Sequence, residues 1–170
     1  GVGAAVVNAL SGELEVEVKR DGGVWRQRFE GGEPAYDLER VRDLGDNEGT
    51  GTEITFWPDS DIFETLEFTY STLASRLREL AFLNSGVEIT LRDERDLEEE
   101  TFVYEGGIRE FVRYLNETKT ALHEDVIYFE DEEPIEEGPV QVEIAMQATD
   151  ELQGSIHAFA NNINTREGGS

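Results

Sequence analysis

At 170 residues, with 14 lysines and arginines against 39 aspartates and glutamates, the chain has a formal net charge of −25 and is long enough for one core, or for one domain plus part of a second. A field of that sign repels a phosphodiester backbone, which excludes this chain by itself as a DNA-binding surface. Cysteine is absent, so disulfides and thiolate metal sites are excluded and only His123 and His157 carry an imidazole.

No apolar run approaches membrane-spanning length and no charged-then-apolar leader opens the chain, so a soluble, cytoplasmic protein with no membrane partner is expected. The first residue is glycine at the head of a helix-like stretch, which predicts a piece of something longer. Lys19 and Lys119 are the only lysines. Periodic apolar segments argue against disorder. The expectation is a folded protein of a high-salt cytoplasm, where screening shrinks the self-repulsion of an acidic surface.

In chain order, Gly1 to Leu10 reads as a glycine loop entering a helix, with Val6, Val7 and Leu10 at helical spacing. Such a helix start presents unpaired N–H groups and a partial positive charge, for which an anion is the natural ligand; a plain glycine-capped core helix is the alternative. Glu13 to Arg20 alternates, with Leu14, Val16 and Val18 opposite Glu15, Glu17 and Lys19, which predicts a half-buried strand. Asp21-Gly22-Gly23 signals a hairpin, and Val24, Arg26 and Arg28 alternate with Trp25, Gln27 and Phe29 on the return. Arg20 is an ordinary surface cation on this reading. Residues 31–48 carry glycine, Pro34 and scattered apolar groups, which predicts a loop.

Glu48-Gly49-Thr50-Gly51-Thr52-Glu53-Ile54-Thr55-Phe56-Trp57-Pro58 is the most distinctive stretch. Its second half reads as a strand with Ile54 and Phe56 on one face, ended by Pro58. Its first half lets backbone approach a ligand or a neighbouring chain closely, and Thr52 offers a hydroxyl from the strand's start; a simple turn is the bland alternative.

A helix is predicted from Phe68 to Leu83, with Leu73, Leu77, Leu80 and Ala81 as its apolar stripe, Arg76, Arg78 and Glu79 turned outward, and Gly86 as a left-handed cap. Val87, Ile89 and Leu91 predict a strand, Arg92 to Glu100 a charged turn, and Phe102 and Tyr104 the return. Ile108, Phe111, Val112 and Leu115 predict a second helix after Gly106-Gly107. Glu98-Glu99-Glu100 is a solvated acidic face rather than a metal site, since no second ligand set converges on it. A polar linker over 116–125 leads to Val126-Ile127-Tyr128-Phe129, an acidic turn from Glu130 to Pro139, and strands over 140–148 and 155–163. Asn161 and Asn162 read as turn formers.

Five segments carry a family resemblance by their order and separation: Gly1-Val2-Gly3-Ala4-Ala5-Val6-Val7-Asn8-Ala9-Leu10-Ser11, Gly49-Thr50-Gly51-Thr52, Arg76-Leu77-Arg78-Glu79-Leu80-Ala81-Phe82-Leu83-Asn84-Ser85-Gly86-Val87, Tyr104-Glu105-Gly106-Gly107-Ile108 and Asn161-Asn162-Ile163-Asn164-Thr165-Arg166-Glu167-Gly168-Gly169. Together they resemble, over the whole chain, the DNA gyrase B family, the ATPase subunits of bacterial-type type II topoisomerases among the GHKL ATPases. The resemblance implies an α+β fold: a GHKL (Bergerat-type) α/β sandwich over residues 1–120 lacking its N-terminal elements, then the first strands of a ribosomal-S5-like transducer domain over 121–170.

It also implies an ATP site. Gly1, Val2, Gly3 and Ala4 match the end of the glycine-rich lid whose backbone amides hold the phosphates. Gly51 and Thr52 match the adenine-holding loop, and Arg20 falls at the pocket rim. The catalytic glutamate, the asparagine that holds Mg2+ and the adenine-binding aspartate match nothing in this chain, and the transducer lysine does not either. No catalytic and no metal-ligating residue is therefore assigned, and the chain alone is expected to lack ATPase activity.

The implied function is coupling of ATP binding and hydrolysis to DNA strand passage and negative supercoiling. The implied partners are the gyrase A protein in an A2B2 heterotetramer, double-stranded DNA through the full complex, and a second gyrase B protein that dimerises with the first on ATP binding. The ATPase subunit of topoisomerase IV shares these motifs. A nonenzymatic nucleotide-binding or interaction module is the reading from another class. A P-loop kinase is excluded, because no Gly-Lys-Ser/Thr follows any glycine cluster.

Overall fold

The computed structural model describes residues 2–135 and 138–165. They form two compact units, divided between Phe68 and Thr69.

The first unit opens with helix α1 (Gly3–Ala9) and is built on a five-stranded sheet. Its strands are β1 (Ser11–Arg20), β2 (Gly23–Glu30), β3 (Glu33–Pro34), β4 (Glu39–Asp43) and β5 (Gly51–Pro58). β1 lies at the centre, antiparallel to both β2 and β5, while β3 and β4 share the outer edge of β2. Asp21 and Gly22 take φ values of 52° and 70°, the left-handed pair of a two-residue hairpin turn whose twist matches its strands.

Register turns the alternation read from the sequence into two chemically distinct faces. Leu14, Val16 and Val18 stand opposite Phe56, Ile54 and Thr52 on one side and Phe29, Gln27 and Trp25 on the other, which makes one face largely apolar. On the second face Glu13, Glu15 and Glu17 stand opposite Glu30, Arg28 and Arg26. There Arg26 Nη2 donates to Glu17 at 2.8 Å and Arg28 Nη2 to Glu13 at 2.8 Å.

Residues 31–48 are not simply a loop, as β3 and β4 run through them. β4 carries a single apolar residue, Val41, and every position is exposed. It is an edge strand held by its backbone pairing to β2, so no apolar period marks it.

The second unit contains α2 (Tyr70–Leu83), β6 (Ile89–Asp93), β7 (Glu98–Phe102), α3 (Ile108–Leu115), β8 (Ile127–Ile135), β9 (Gly138–Met146), β10 (Phe159–Ala160) and β11 (Ile163–Asn164). Helix α2 starts two residues later than its apolar stripe suggests. It buries Ala74, Ala81 and Phe82. Phe102 of β7 and Phe111 of α3 complete a buried aromatic centre. The Phe82 ring stacks on Tyr104 with centroids 3.6 Å apart and on Phe111 at 5.0 Å.

Arg78 does not point outward as its polar position on α2 predicts. Its guanidinium lies 5.0 Å from the Phe102 ring centroid and donates to Glu100 at 2.6 Å. The planar, weakly hydrated guanidinium stacks on rings while keeping its carboxylate partner.

Two segments expected as acidic turns are strands. Glu98, Glu99 and Glu100 belong to β7, where Glu99 stands opposite Arg92. Residues 130–135 continue β8, paired with β9 from Ile127↔Met146 to Ile135↔Gly138. One face of this ribbon exposes Phe129, Val142 and Ile144, with Asp131 and Glu133 among them opposite Val142 and Val140. The strand expected over 155–163 reduces to the two residues of β10, whose hairpin with β11 turns on Asn161 and Asn162 at φ 49° and 66°. Here the sequence expectation of turn-forming asparagines holds.

The linker over 116–125 is tied down by His123. Its Nε2 accepts the Ala148 N–H at 2.9 Å and its Nδ1 lies 2.6 Å from the Asp125 carbonyl.

Gly107 precedes α3 at φ 56°, ψ −132°, backbone space open to glycine and strained for any L side chain. Gly107→Ala is expected to cost about 1–3 kcal/mol, read as a lower urea midpoint. Gly154→Ala, where an added methyl meets nothing within 4 Å, serves as the neutral comparison.

Candidate functional site

The residues proposed for nucleotide contact fall on two elements of the first unit. Val2 is the N-cap of α1 and is 74% exposed. No side chain caps the helix and no acidic residue occupies its first turn. The first intrahelical hydrogen bond runs from Val6 N–H to the Val2 carbonyl at 3.0 Å, so the N–H groups of Gly3, Ala4 and Ala5 precede the helical ladder. A methyl built on Gly3 meets nothing within 4 Å. Gly1 lies outside the described residues.

Gly51 and Thr52 open β5, opposite Lys19 and Val18 of β1. A methyl built on Gly51 also meets open space. Thr52 is exposed, and among the described residues its hydroxyl has no hydrogen-bond partner. Arg20, one residue beyond the partner of Gly51, forms an exposed ion pair with Asp21 at 3.2 Å.

Thr52 shares the apolar sheet face with Ile54 and Phe56. Phe56, Val6 and Val7 all line one cavity of about 190 Å³, closed further by Phe63, Leu66 and Phe68. Helix α1 therefore lies over the same sheet face that carries Thr52. The structure does not bring the two groups into contact: Phe56 and Pro58 are the β5 residues that line this cavity with α1, and Thr52 lies about 13 Å along the strand from Phe56 at ~3.3 Å per residue. Ile54, between Thr52 and Phe56 on this face, is 51% exposed, and the α1 end offers N–H donors to an anion.

Glu48 stands out by no feature of the sequence, yet it is the most strongly held carboxylate of this unit. Arg42 of β4 grips it through both terminal nitrogens, Nη1 to Oε2 at 2.5 Å and Nη2 to Oε1 at 2.7 Å. The Gly45 N–H donates to Oε2 at 2.9 Å, and Lys19 Nζ of β1 stands 3.8 Å from Oε1. The Arg42 hydrogen bonds, then the Gly45 N–H, hold the Glu48 carboxyl down to about 2 from its ordinary 4.5. A depressed folded value means that the stabilisation is complete above about pH 4.5 and is lost as pH falls toward 2. Its carboxyl carbon, followed by NMR, is expected to titrate near pH 2; a midpoint near 4.5 would contradict the clamp.

Among the described residues, no group of three or more histidine, aspartate or glutamate side chains is placed to hold a metal ion. The open α1 end and the Thr52 hydroxyl offer donors of the kind a nucleotide takes.

Comparison with known proteins agrees with this architecture. Residues 107–170 match the family model described as DNA gyrase B. The chain is 73% identical over its full length to the DNA gyrase B protein of Haloferax volcanii and 55% identical to that of Halalkalibacterium halodurans, covering 26% of each. It superposes on the 43K ATPase domain of Thermus thermophilus gyrase B, solved in complex with an aminocoumarin. There the TM-score is 0.81 at 38% identity, over 98% of this chain and 44% of that one. The gyrase B protein of Myxococcus xanthus gives a TM-score of 0.82 at 27% identity, over 95% of this chain and 46% of that one.

The fold is thus the α+β fold of GHKL ATPase domains with their transducer. The chain belongs to the DNA gyrase B family. It spans about a quarter of the length of the curated relatives it matches.

Proposed function

We propose that the chain is part of the ATPase region of a DNA gyrase B protein, which couples ATP binding and hydrolysis to strand passage and negative supercoiling. The match along 98% of its length to a gyrase B ATPase domain carries this reading. In it, residues 1–120 complete the ATP-binding domain and residues 121–170 open the transducer, which conveys nucleotide state toward the DNA gate. The working assembly is an A2B2 heterotetramer with the gyrase A protein, acting on double-stranded DNA, and the two gyrase B proteins close on each other when ATP binds. The net charge of −25 assigns the DNA contacts to other parts of that assembly.

ATP supplies the binding energy and the scissile phosphoanhydride. Val2, Gly3 and Ala4 present backbone N–H groups to its phosphates at the positive end of α1, and Gly1 precedes them in the same glycine-rich motif. Thr52 turns its free hydroxyl to the adenine edge, and Gly51 leaves the base room to approach. The Mg2+ that accompanies ATP and the base that activates water are supplied by groups other than these, so the chain by itself turns over no ATP.

Thr52→Ala in a gyrase B protein carrying this segment is expected to weaken binding of a nonhydrolysable ATP analogue by about tenfold, the loss of one hydrogen bond. It should lower ATP-driven supercoiling at limiting ATP, while Thr52→Ser keeps both. Unchanged affinity and supercoiling in Thr52→Ala would contradict the assignment.

A further inference from the structure

Gly51 and Thr52 are held in the β1–β5 ladder opposite Lys19 and Val18, but the Gly49–Thr50 backbone that leads into it has little of its own to hold it. Gly49 and Gly51 flank Thr50, and a methyl built on either glycine meets nothing within 4 Å. Glycine-rich backbone in open space loses more freedom on ordering than other chain, so a presented hydroxyl at its end needs an anchor. The residue immediately before this stretch is Glu48, and its carboxylate is tied to three separate pieces of the unit. Arg42 reaches it from β4, Lys19 from β1, and the Gly45 N–H from the turn that Glu48 itself closes through its own N–H to the Gly45 carbonyl at 3.0 Å. Lys19 is also the register partner of Gly51. The carboxylate therefore bridges the edge strand to the residue that stands across from the site.

We propose that Glu48 is a positioning residue for nucleotide: an ion-paired staple that fixes where the Gly49–Gly51 backbone enters β5 and hence where Thr52 presents its hydroxyl. This rests on the assignment of Thr52 to adenine. The bidentate geometry sets this pair apart from an ordinary surface ion pair, because two parallel N–H···O bonds fix orientation as well as distance. Gly45 fits the same design: a methyl there would stand 3.3 Å from Glu48 Oε2 and press on the carboxylate. The staple lies on the surface, so its loss leaves the apolar sheet face intact and acts on presentation of the site rather than on folding.

The test compares Glu48→Gln, Thr52→Ala and the charge swap Arg42→Glu with Glu48→Arg in a gyrase B protein carrying this segment. A nonhydrolysable ATP analogue is the probe, and the melting midpoint is measured without nucleotide. Glu48→Gln is expected to weaken the analogue about fivefold with the midpoint shifted by no more than about 2 °C, and the swap to recover affinity to within about twofold of the parent. Full affinity in Glu48→Gln beside a weakened Thr52→Ala overturns the staple and leaves the adenine assignment standing. Full affinity in Thr52→Ala overturns that assignment, and the staple with it. A midpoint lowered by more than about 5 °C in Glu48→Gln, with affinity falling in proportion, makes Glu48 a general stability residue and overturns its positioning role.

Discussion

Phe82→Ala is expected to lower the stability of the second unit by about 3–5 kcal/mol, a large share of the ~5–15 kcal/mol that holds a typical domain. Phe82 is 2% exposed and sits among three aromatic rings. Its ring stacks on Tyr104 at 3.6 Å, on Phe111 at 5.0 Å and lies 5.4 Å from Tyr114. Truncation removes the transfer energy of the ring and leaves a cavity whose walls belong to α2, α3 and the segment after β7. Rigid rings collapse into such a space poorly, so the cavity term stays near its upper range. Urea unfolding followed by near-ultraviolet circular dichroism of the tyrosines measures it. A loss below about 1 kcal/mol would show that the stack contributes little.

The second large effect is electrostatic. Raising KCl from dilute buffer to molar concentration is expected to raise the melting midpoint by on the order of 10 °C, equivalent to ~3 kcal/mol at ~2–4 °C per kcal/mol. Two opposing terms decide the sign. Salt weakens the exposed ion pairs, but each is worth only ~0–1 kcal/mol. Salt also screens the repulsion among 39 acidic side chains that face only 14 basic ones. The Debye length falls from ~10 Å at 0.1 M to ~3 Å at 1 M, below the spacing of neighbouring unpaired carboxylates on a crowded surface. Relief of repulsion wins. Chloride is the right anion for the test, since sulfate strengthens apolar burial whatever the charge. A midpoint that stays constant or falls with KCl would contradict a surface adapted to high salt.

Strands β1, β2 and β5 of the first unit's sheet were legible because they follow a two-residue period. Leu14, Val16 and Val18 against Glu15, Glu17 and Lys19 predict both faces of β1 correctly, and Asp21-Gly22 predicts the turn. Strands whose partners are exposed backbone left no such mark. β4 has only Val41 to show, and the acidic half of β8 is strand because β9 pairs with it, whatever its side chains prefer. Propensity and period describe side-chain burial, and these segments form by main-chain pairing at the solvent boundary. Arg78 was misplaced for a related reason. A binary pattern scores arginine as polar, whereas its guanidinium packs on Phe102.

The candidate site divides the same way. Gly51 and Thr52 at the start of a strand were readable from alternating glycines ending in Ile54 and Phe56, and the helix after Gly3 from its apolar spacing. Glu48 was not readable, because Arg42 and Lys19 approach it from two other strands, and no local spacing encodes that meeting.

Amide hydrogen exchange on a gyrase B protein carrying this segment, with and without a nonhydrolysable ATP analogue, locates the bound nucleotide. Slowed exchange is expected together at the start of α1, over residues 3–6, and at the start of β5, over residues 51–54, with the β8–β9 ribbon unprotected by direct contact. Slowed exchange at neither segment, in a protein shown to have bound the analogue, would contradict the assignment of this sheet face to ATP.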